Sequence, residues 1–375
     1  MTIKPVAAIK AQETPKILKN PQVTAKSPTS PKKTRKNYQT GIAVTPYIDG
    51  PDIFKAAEKM IKSAKTSIQL EMFSLSHDHM IDLMCKESEK GVKVQVLIDP
   101  NPGFNDEEIK EKQENLKKLK ASGVEVVYFP VNKDRRQIDH IKMLLVDGQS
   151  ALIGGMNWSN HSPVNHDADI KIEGPAVNYY RAVFDNGWRK SGGEPGPVLP
   201  RPEKIPGADA ELHGVSTEMF RFTGIKQAVI KNIENAQKSI HMEAFILTDK
   251  DILKGLKNAK QRGLDVKVIL DPTLICTEFS INDKIAEELK DAGVEVKWYK
   301  VDDSIGQKLH AKWGLFDGEQ LTIGSANMTF KGLYINREIG ADVNDKKTGS
   351  VFEKQFHHDW EHASTDEIEN RPAQS

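Results

Sequence analysis

The sequence contains few cysteines and no long apolar run, and both features limit what the protein can be. Only two of its 375 residues are cysteine, Cys85 and Cys276, and they have no CxxC or other metal-type spacing. They are predicted to be free thiols, which suits a reducing compartment. No stretch approaches the roughly 18 apolar residues of a membrane span, and the first 20 residues lack an apolar segment of signal-peptide length. A cytoplasmic location is therefore predicted.

The whole chain has no net charge, but its charges are unevenly distributed. Residues 1–40 carry nine Lys or Arg against the single acid Glu13, which leaves 44 basic and 52 acidic residues in the body. A body of net charge −8 lacks the basic footprint of a protein that wraps nucleic acid. The first 40 residues are predicted to be disordered, and they are either a solvated tail without a role or a polybasic segment attracted to anionic lipid or nucleic acid.

The body of the sequence repeats itself. Thr66–Phe73 matches Lys238–Phe245, and Gly91–Asp99 matches Gly263–Asp271. The offset between equivalent positions stays between 170 and 172 residues along the body, which indicates a tandem duplication. We predict a tail (1–40), a first domain (41–190), a linker rich in Gly and Pro (191–207), a second domain (208–365) and a C-terminal tail (366–375).

Each copy alternates helical and strand patterns. In the first copy, helical spacing covers residues 53–64, 80–90, 107–119 and about 179–188, and strand patterns cover 67–73, 92–98, 124–129 and 151–154. The predicted class is α/β, with a mixed sheet flanked by helices, formed twice and related by a pseudo-twofold axis.

One motif occurs once in each copy: His-x-Lys-x₄-Asp, followed after six residues by Gly-[Gly/Ser]-x-Asn. Its polar residues are His140, Lys142, Asp147 and Asn157 in the first copy, and His310, Lys312, Asp317 and Asn327 in the second. Successive side chains of a strand alternate faces, so each His and its Lys point the same way. If the copies pack about a pseudo-twofold axis, the motifs form one site with two imidazoles, two ammonium groups and two amides.

Such a site suits the cleavage of a phosphodiester. A neutral histidine can attack phosphorus to form a covalent phosphohistidine, while a protonated one donates to the leaving oxygen and then deprotonates water or an alcohol. Two lysines and two amides would stabilise the equatorial oxygens, so neither a metal nor another cofactor is required.

The doubled motif resembles that of the phospholipase D superfamily, over about residues 45–362. The resemblance implies that His140 is the nucleophile and His310 the general acid. The residues that it implies for phosphate binding are Lys142, Lys312, Asn157, Asn327 and Ser325. Where the second copy has Ser325 the first has Gly155, which predicts unequal phosphate contacts in the two halves.

In this superfamily a further acid often orients each histidine. The best-aligned candidates are Asp167 and Glu338, both in the pattern Asn-x-[Asp/Glu]. Such a carboxylate fixes the imidazole tautomer and stabilises its charged form. Asp169 is a rival in the first copy. Asp147 and Asp317 are predicted at the far end of the motif strand, in a structural hydrogen-bonding role.

Other residues admit two interpretations each. Glu71 and Glu243 occupy matching points of apolar strands, where they either hydrogen-bond near the site or have structural partners. His358 and His362 have metal-ligand spacing, but a solvated helix face is the favoured interpretation. The residues that could form the rim of the pocket, or equally pack in the core, are Trp158, Phe330–Tyr334, Leu274, Ile275 and Phe279.

The first expectation is a phospholipase D type phosphodiesterase that hydrolyses phospholipids to phosphatidic acid and an alcohol through a phosphohistidine. A cardiolipin synthase-like phosphatidyltransferase and a nuclease are the alternatives. The expected partner is phospholipid, with peripheral contact to a membrane, and nucleic acid is less favoured. No obligate protein partner is implied, because both motifs lie in one chain.

Overall fold

The structure is a computed structural model that describes residues 38–101, 106–217, 224–273 and 281–367. Several predicted features lie outside these residues: the tail up to residue 37, the C-terminal tail from residue 368, Cys276, and the rim candidates Leu274, Ile275 and Phe279. Cys85 is a buried free thiol. Within the described ranges, no helix combines the length and the apolar character needed to cross a bilayer.

Both halves begin with a strand and continue with the same order of elements, except that the second half has an additional short helix, α8, and a final strand, β15. The first half contains β1 (Gln39–Ile48), α1 (Gly50–Ser63), β2 (Ser67–Met72), α2 (Asp78–Glu89), β3 (Lys93–Ile98), α3 (Asp106–Ala121), β4 (Glu125–Tyr128), β5 (Lys142–Val146), β6 (Ser150–Gly154), β7 (Ala168–Glu173) and α4 (Val177–Lys190). The second contains β8 (Ala210–Ser216), α5 (Gly224–Asn235), β9 (Ser239–Ala244), α6 (Lys250–Gln261), β10 (Asp265–Leu270), α7 (Asp283–Asp291), β11 (Glu295–Tyr299), β12 (Lys312–Phe316), β13 (Gln320–Gly324), α8 (Phe330–Tyr334), β14 (Ile339–Asn344), α9 (Lys346–Glu361) and β15 (Ser364–Thr365).

The described strands form one mixed sheet, with β1 and β8 paired at its centre. Outward from this pair, the first half runs β7, β6, β5, β2, β3 and β4, and the second runs β14, β13, β12, β9, β10 and β11, with β15 at the edge. Within each half, β2–β3–β4 and β9–β10–β11 are parallel and the other pairs are antiparallel. Equivalent strands hold equivalent places, so the predicted α/β class with a mixed, pseudo-twofold sheet is confirmed.

Three hydrophobic cores lie between the sheet and the helices that pack on it. Side chains alternate along β5, so Met143 and Leu145 join a central core while Leu144 and Val146 face a core under α1 and α2. The central core also contains apolar residues of α4, α9 and β12, and a third core lies under α5 and α6. The two halves are therefore packed against each other through the shared central core, beside the motif strands.

The central strands β1 and β8 were not predicted from the sequence. Strand β1 contains Gly41 and Pro46, which are uncommon inside a central strand, and most of its side chains are only half-buried. It nevertheless pairs with both β7 and β8. It begins at Gln39. The domain boundaries given above stay predictions.

Candidate active site

The two motif histidines lie immediately before β5 and β12. The backbone N–H of His140 donates to the Arg337 carbonyl at 2.9 Å, and the N–H of His310 donates to the His166 carbonyl at 2.7 Å. Each of these hydrogen bonds joins one half of the chain to the other. The backbone therefore holds the two motifs next to each other across the boundary between the halves.

A carboxylate from the opposite half contacts each histidine. Nδ1 of His140 lies 3.0 Å from Glu338 Oε2, and Nδ1 of His310 lies 2.7 Å from Asp167 Oδ2. Both acids are 0% exposed. The structure thus brings together all four residues, whereas the sequence named the two acids without assigning either of them to a particular histidine. The pairing is crossed.

The crossed pairing fixes which ring nitrogen is available for chemistry. A carboxylate only accepts hydrogen bonds when ionised, so Nδ1 of each ring carries the proton and Nε2 carries a lone pair. The side chains of His140 and His310 remain 8% and 10% exposed. Among the described residues, neither Nε2 has a hydrogen-bond partner. Each half therefore presents one open Nε2.

The two lysines are buried, and they lie close enough to the histidines to change the pKa of both rings. Nζ of Lys142 donates to the His140 carbonyl at 2.8 Å, and Nζ of Lys312 donates to the His310 carbonyl. Burial lowers the pKa of Lys142 to about 7 and that of Lys312 to about 8. Each ammonium also lowers the pKa of the other half's histidine, so the four groups lie close enough to interact. The site that they form is called the pocket below.

Burial has the same direction of effect on the histidines. It lowers the pKa of His140, against the opposing effect of Glu338. Burial and the Lys312 charge together lower the pKa of His310 to about 3. Both rings are therefore neutral at pH 7 in the free site, which is the form that a nucleophile requires.

Two phenylalanines line the pocket, and the sequence reasoning did not assign them to it. The ring of Phe73 lies 5.1 Å from that of His140, and the ring of Phe245 lies 5.0 Å from that of His310. Each ring also faces the lysine of its own half, Lys142 at 5.2 Å in the first. Their matching places at the ends of the repeated strand segment were the available signal.

The residue pair Gly155 and Ser325 has a steric explanation. A β-carbon at Gly155 would lie 2.2 Å from Asp167 Oδ1, so the shorter acid fills that space. Ser325 is 0% exposed and donates its hydroxyl to Glu338 Oε2 at 2.5 Å. Ser325 was predicted to contact phosphate, but the structure places its hydroxyl on the acid that holds His140.

The motif asparagines keep an unsatisfied amide oxygen. The Oδ1 atoms of Asn157 and Asn327 are buried and have no partner within the described ranges. Such groups are uncommon and are expected where a ligand completes the hydrogen bonding. Asp169, the rival acid, accepts from the Met156 N–H at 3.2 Å and holds the turn before Asn157 instead of a histidine.

Asp147 and Asp317 lie at the other end of the motif strands. The Asp147 carboxylate accepts from the backbone N–H groups of Lys65, Thr66 and Ser67 at 2.7–3.1 Å. Asp317 accepts from the three equivalent N–H groups, Gln237 to Ser239. Both have a positive φ, 52° and 54°. They tie the start of β2 and β9 to the turn after β5 and β12.

A second pair of aspartates holds the backbone just before each histidine, and it was also missed. Asp99 Oδ2 accepts from the Asp139 N–H at 2.6 Å, and Asp271 Oδ2 accepts from the Leu309 N–H at 2.8 Å. Burial raises the pKa of Asp271 to about 6. Both repeated strands end in Asp, which was the signal in the sequence.

The remaining candidates lie outside the pocket. Glu71 pairs with Arg337 and Glu243 with His166, so both have structural partners. His358 on α9 and His362, just after its end, are exposed and their rings meet edge to face. In the described chain, two groups have metal-ligand spacing: His241 with Glu353 and His357, and His166 with Glu243 and Asp359. Trp158 is buried, whereas Phe330 and Tyr334 are exposed and stacked on each other.

The chain is similar in sequence to one protein family and to several proteins named cardiolipin synthase. The sequence profile of the family described as "Cardiolipin synthase, PLD-like domain" matches residues 58–188 and 229–360. Cardiolipin synthase 2 of Bacillus cereus is 26% identical over 342 residues, which cover 84% of this chain and 64% of the relative. Cardiolipin synthase 1 of Staphylococcus aureus is 24% identical over 348 residues, 84% of this chain and 66% of the relative. The chain thus spans slightly less than two thirds of the length of these relatives.

A solved structure has the same fold over most of both chains. The crystal structure of phosphatidylserine synthase from Haemophilus influenzae superimposes with a TM-score of 0.64 and covers 88% of each chain. The two sequences are 12% identical, so this similarity concerns the fold alone.

Proposed function

This chain belongs to the phospholipase D superfamily, in the family described as cardiolipin synthase, PLD-like domain, and we propose that it transfers a phosphatidyl group from one phospholipid to an alcohol. The names of its relatives support transfer, the alternative considered from the sequence, more than the hydrolysis that was expected first. The acceptor we infer is the glycerol head group of a second phospholipid. Two molecules of phosphatidylglycerol would then give cardiolipin and glycerol.

One observation carries the proposal: each half supplies an imidazole with its Nδ1 on a buried carboxylate and its Nε2 open to the pocket. Two such rings can act as nucleophile and acid–base partner of one in-line displacement. The two buried ammonium groups and the Nδ2–H groups of the two asparagines would donate the hydrogen bonds that the phosphoryl oxygens accept.

In the first step, Nε2 of His140 attacks phosphorus and the bond from phosphorus to the head-group oxygen breaks. The leaving oxygen takes the proton from Nε2 of His310, and a phosphatidyl-histidine remains. Because His310 has a low pKa in the free site, the bound phosphate anion has to favour its protonated ring before it can donate. Asp167, on Nδ1, stabilises that ring in its charged form.

In the second step, neutral His310 takes the proton of the acceptor hydroxyl, whose oxygen attacks phosphorus. The phosphorus–nitrogen bond breaks and His140 is released with the new phosphodiester. The pocket is largely shielded from solvent, since His140 is 6% exposed and His310 8%. Limited access for water favours a positioned alcohol over hydrolysis.

An assay of the products tests the proposal. The protein is incubated, without added metal, with labelled phosphatidylglycerol, phosphatidylcholine and single-stranded DNA in separate reactions. We expect a diphosphatidyl product and free glycerol from phosphatidylglycerol. Phosphatidic acid as the sole product would make the protein a hydrolase, and cleavage of DNA alone would refute both lipid functions.

Matched variants show whether the product comes from this site. His140→Ala and His310→Ala should each lower kcat by roughly 10³-fold or more, because residues that act as a unit fail together. His358→Ala removes an exposed histidine on α9 and should leave the rate unchanged. Normal turnover in either motif variant would exclude the shared site.

A further inference from the structure

Beside the pocket, the middle residue of each Asn-x-[Asp/Glu] pattern crosses between the halves. In the second copy this residue is Arg337, which is 0% exposed. Its guanidinium donates to both oxygens of Glu71, at 2.5 and 3.2 Å, and lies 3.6 Å from Asp139. A permanent cation thus balances the buried carboxylates at this contact.

At the equivalent contact, where a residue of the first half reaches into the second, the side chains are different. His166 stands in the place of Arg337, Glu243 in that of Glu71, and Asp359 in that of Gly187, with offsets of 171 or 172 residues. A β-carbon at Gly187 would lie 2.4 Å from Arg337 Nη2, so the arginine requires the glycine. At this contact His166 therefore supplies an imidazole in place of the permanently charged arginine. Asp359 takes the place of the glycine and adds a second carboxylate.

These three side chains converge with the spacing of metal ligands. Nε2 of His166 lies 3.0 Å from Glu243 Oε2 and 3.4 Å from Asp359 Oδ2, and all three residues are at most 2% exposed. Ligand atoms around a first-row divalent cation lie roughly 3.0–3.5 Å apart, because each bond is about 2.0–2.2 Å long. Nδ1 of His166 lies 2.6 Å from Asp49 Oδ1. A carboxylate on the second ring nitrogen is the usual outer partner of a ligating histidine.

The hydrogen bonding of the cluster is incomplete. The other carboxylate oxygen of Glu243, Oε1, is buried and has no hydrogen-bond partner within the described chain. Asp359 accepts only from the neutral amide of Gln355, at 2.9 and 3.1 Å, apart from its contacts within the cluster. Across the described residues, neither carboxylate forms an ion pair with a lysine or arginine. Without a metal, both ring nitrogens of His166 face carboxylates, so the ring must be protonated and supplies a single positive charge for the two buried carboxylates of Glu243 and Asp359.

We propose that His166, Glu243 and Asp359 bind one divalent cation of the zinc class, with Asp49 orienting His166. An imidazole nitrogen with two carboxylate oxygens suits zinc, whereas magnesium and calcium prefer sites made of oxygen alone. His166 comes from the first half and its two partners from β9 and α9 of the second. The cation would link the halves where the arginine links them at the equivalent contact.

A cation at this site would also hold residues of the pocket in position. The His166 N–H donates to the Lys308 carbonyl at 2.9 Å, and its carbonyl accepts from the His310 N–H. The next residue, Asp167, holds the His310 ring. A cation on His166 would therefore fix the segment that carries Asp167, without contact to the substrate phosphate.

The second group with metal-ligand spacing serves as the control. His241 already contacts Glu353 through Nδ1 and Asp265 through Nε2, at 3.3 and 3.2 Å. Glu353 and His357 are 29% and 49% exposed in their side chains. Zinc added to the protein could bind there adventitiously, and His357→Ala removes that possibility.

The test uses the full chain after removal of metal with a chelator. We expect titration calorimetry with ZnCl₂ to give one tight site per chain, with one zinc retained after dialysis and a higher Tm. MgCl₂ should neither bind with comparable affinity nor displace zinc. Asp359→Asn should weaken zinc binding by more than about 100-fold, since loss of a charged ligand exceeds the 10–100-fold typical of an outer partner, whereas His357→Ala should leave it unchanged.

Three outcomes would overturn the proposal: no zinc binding, binding unaffected by Asp359→Asn, or binding lost in His357→Ala, which would leave an adventitious surface ion only. If Asp359→Asn fails to fold, CoCl₂ replaces zinc in the wild-type protein and in His357→Ala. A visible d–d absorption band of a low-symmetry site in both supports the proposal. Absence of the band in His357→Ala contradicts it.

Discussion

Each histidine of the pocket depends on a carboxylate from the other half of the chain. Glu338 contacts His140, Asp167 contacts His310, and all four side chains are at least nine-tenths buried. Because an ionised carboxylate accepts the Nδ1 proton, it selects the tautomer with Nε2 free. The reactivity of one half is therefore controlled by a residue of the other.

Exchange of one acid should affect the histidine of the opposite half. We expect Glu338→Gln to lower kcat by roughly 10²–10⁴-fold, since an amide no longer favours the productive tautomer or the charged ring. In proton NMR, the downfield Nδ1–H signal of His140 should change while that of His310 persists. Asp167→Asn should give the reverse pattern, and His140→Ala assigns the signals. A response confined to the same half would contradict the crossed pairing.

The buried lysines predict an unusual pH dependence. Burial lowers the pKa of Lys142 to about 7 and that of Lys312 to about 8, so the ammonium forms that we propose to bind phosphate are lost as the pH rises through these values. We expect kcat/KM to fall with an alkaline limb near pH 7–8, far below the ordinary lysine value. Because the groups interact, this limb belongs to the cluster and not to one lysine.

A substitution that keeps a positive charge at position 142 tests whether the alkaline limb comes from the buried ammonium groups. In Lys142→Arg the guanidinium stays charged throughout, so the alkaline limb should move to higher pH even if the rate at the optimum falls. The measurement is kcat/KM against pH for both proteins. A wild-type limb near pH 10, or a limb that does not move in the variant, would refute the role of the buried ammonium groups.

At the residue scale, sequence pattern identified the side chains but not their partners. The doubled motif named the histidines, lysines and asparagines, since their types and spacing recur in both copies. Which acid meets which histidine depends on how the copies pack, and a linear alignment of the copies pairs each acid with its own half. Phe73 and Phe245 were missed because apolar residues at strand ends more often pack in a core.

At the scale of elements, the aspartates after β5 and β12 act as clamps between strands. Each accepts three backbone N–H groups at the start of β2 or β9 and adopts a positive φ, which Asp and Asn tolerate better than most residues. The two loops have equivalent contacts although their sequences differ. The clamp is thus a property of the repeated strand pair.

Loss of one clamp should lower the stability of the fold more than it lowers the catalytic rate. Asp147→Ala removes the hydrogen bonds to Lys65, Thr66 and Ser67, and we expect the free energy of unfolding to fall by about 1–3 kcal/mol. Asp147→Asn should cost less, because its amide oxygen still accepts. Urea unfolding measures both. An unchanged midpoint in Asp147→Ala, or lost activity with full stability, would instead indicate a direct role in the reaction.

The elements that the sequence predicted are those with strong periodicity. The helix expected at residues 53–64 is α1, Gly50–Ser63, and the strand expected at 92–98 is β3, Lys93–Ile98. Strands β1 and β8 are stabilised by pairing with each other and with β7 and β14. Strand β8 does alternate buried and half-buried residues from Ala210 to Gly214, but β1 contains Gly41 and Pro46 and has no such alternation. Pairing between distant segments leaves little trace in local composition.

At the scale of the whole molecule, the duplication places a complete pocket in a single chain. Strands β1 and β8 join the two half-sheets, the central core is shared, and backbone hydrogen bonds beside His140 and His310 cross between the halves. Both histidines, both lysines and both acids come from the same chain.

A mixing experiment tests this arrangement. His140→Ala and His310→Ala chains each lack one ring, and since every pocket draws both rings from one chain, an equimolar mixture should be no more active than either variant alone. The measurement is product formation before and after the chains are unfolded together and refolded. Recovery of activity in the refolded mixture would mean that halves of different chains form the site.

The central claim is that His140 becomes covalently bound to a phosphatidyl group during transfer. The most direct measurement is a rapid-mixing experiment with phosphatidylglycerol, followed by denaturation at mildly alkaline pH, where a phosphoramidate survives, and mass spectrometry of the peptides. We predict a phosphatidyl adduct on the peptide that contains His140, absent in His140→Ala and decaying as the diphosphatidyl product forms. Product formation at the wild-type rate in His140→Ala, or an adduct on His310 alone, would contradict the claim.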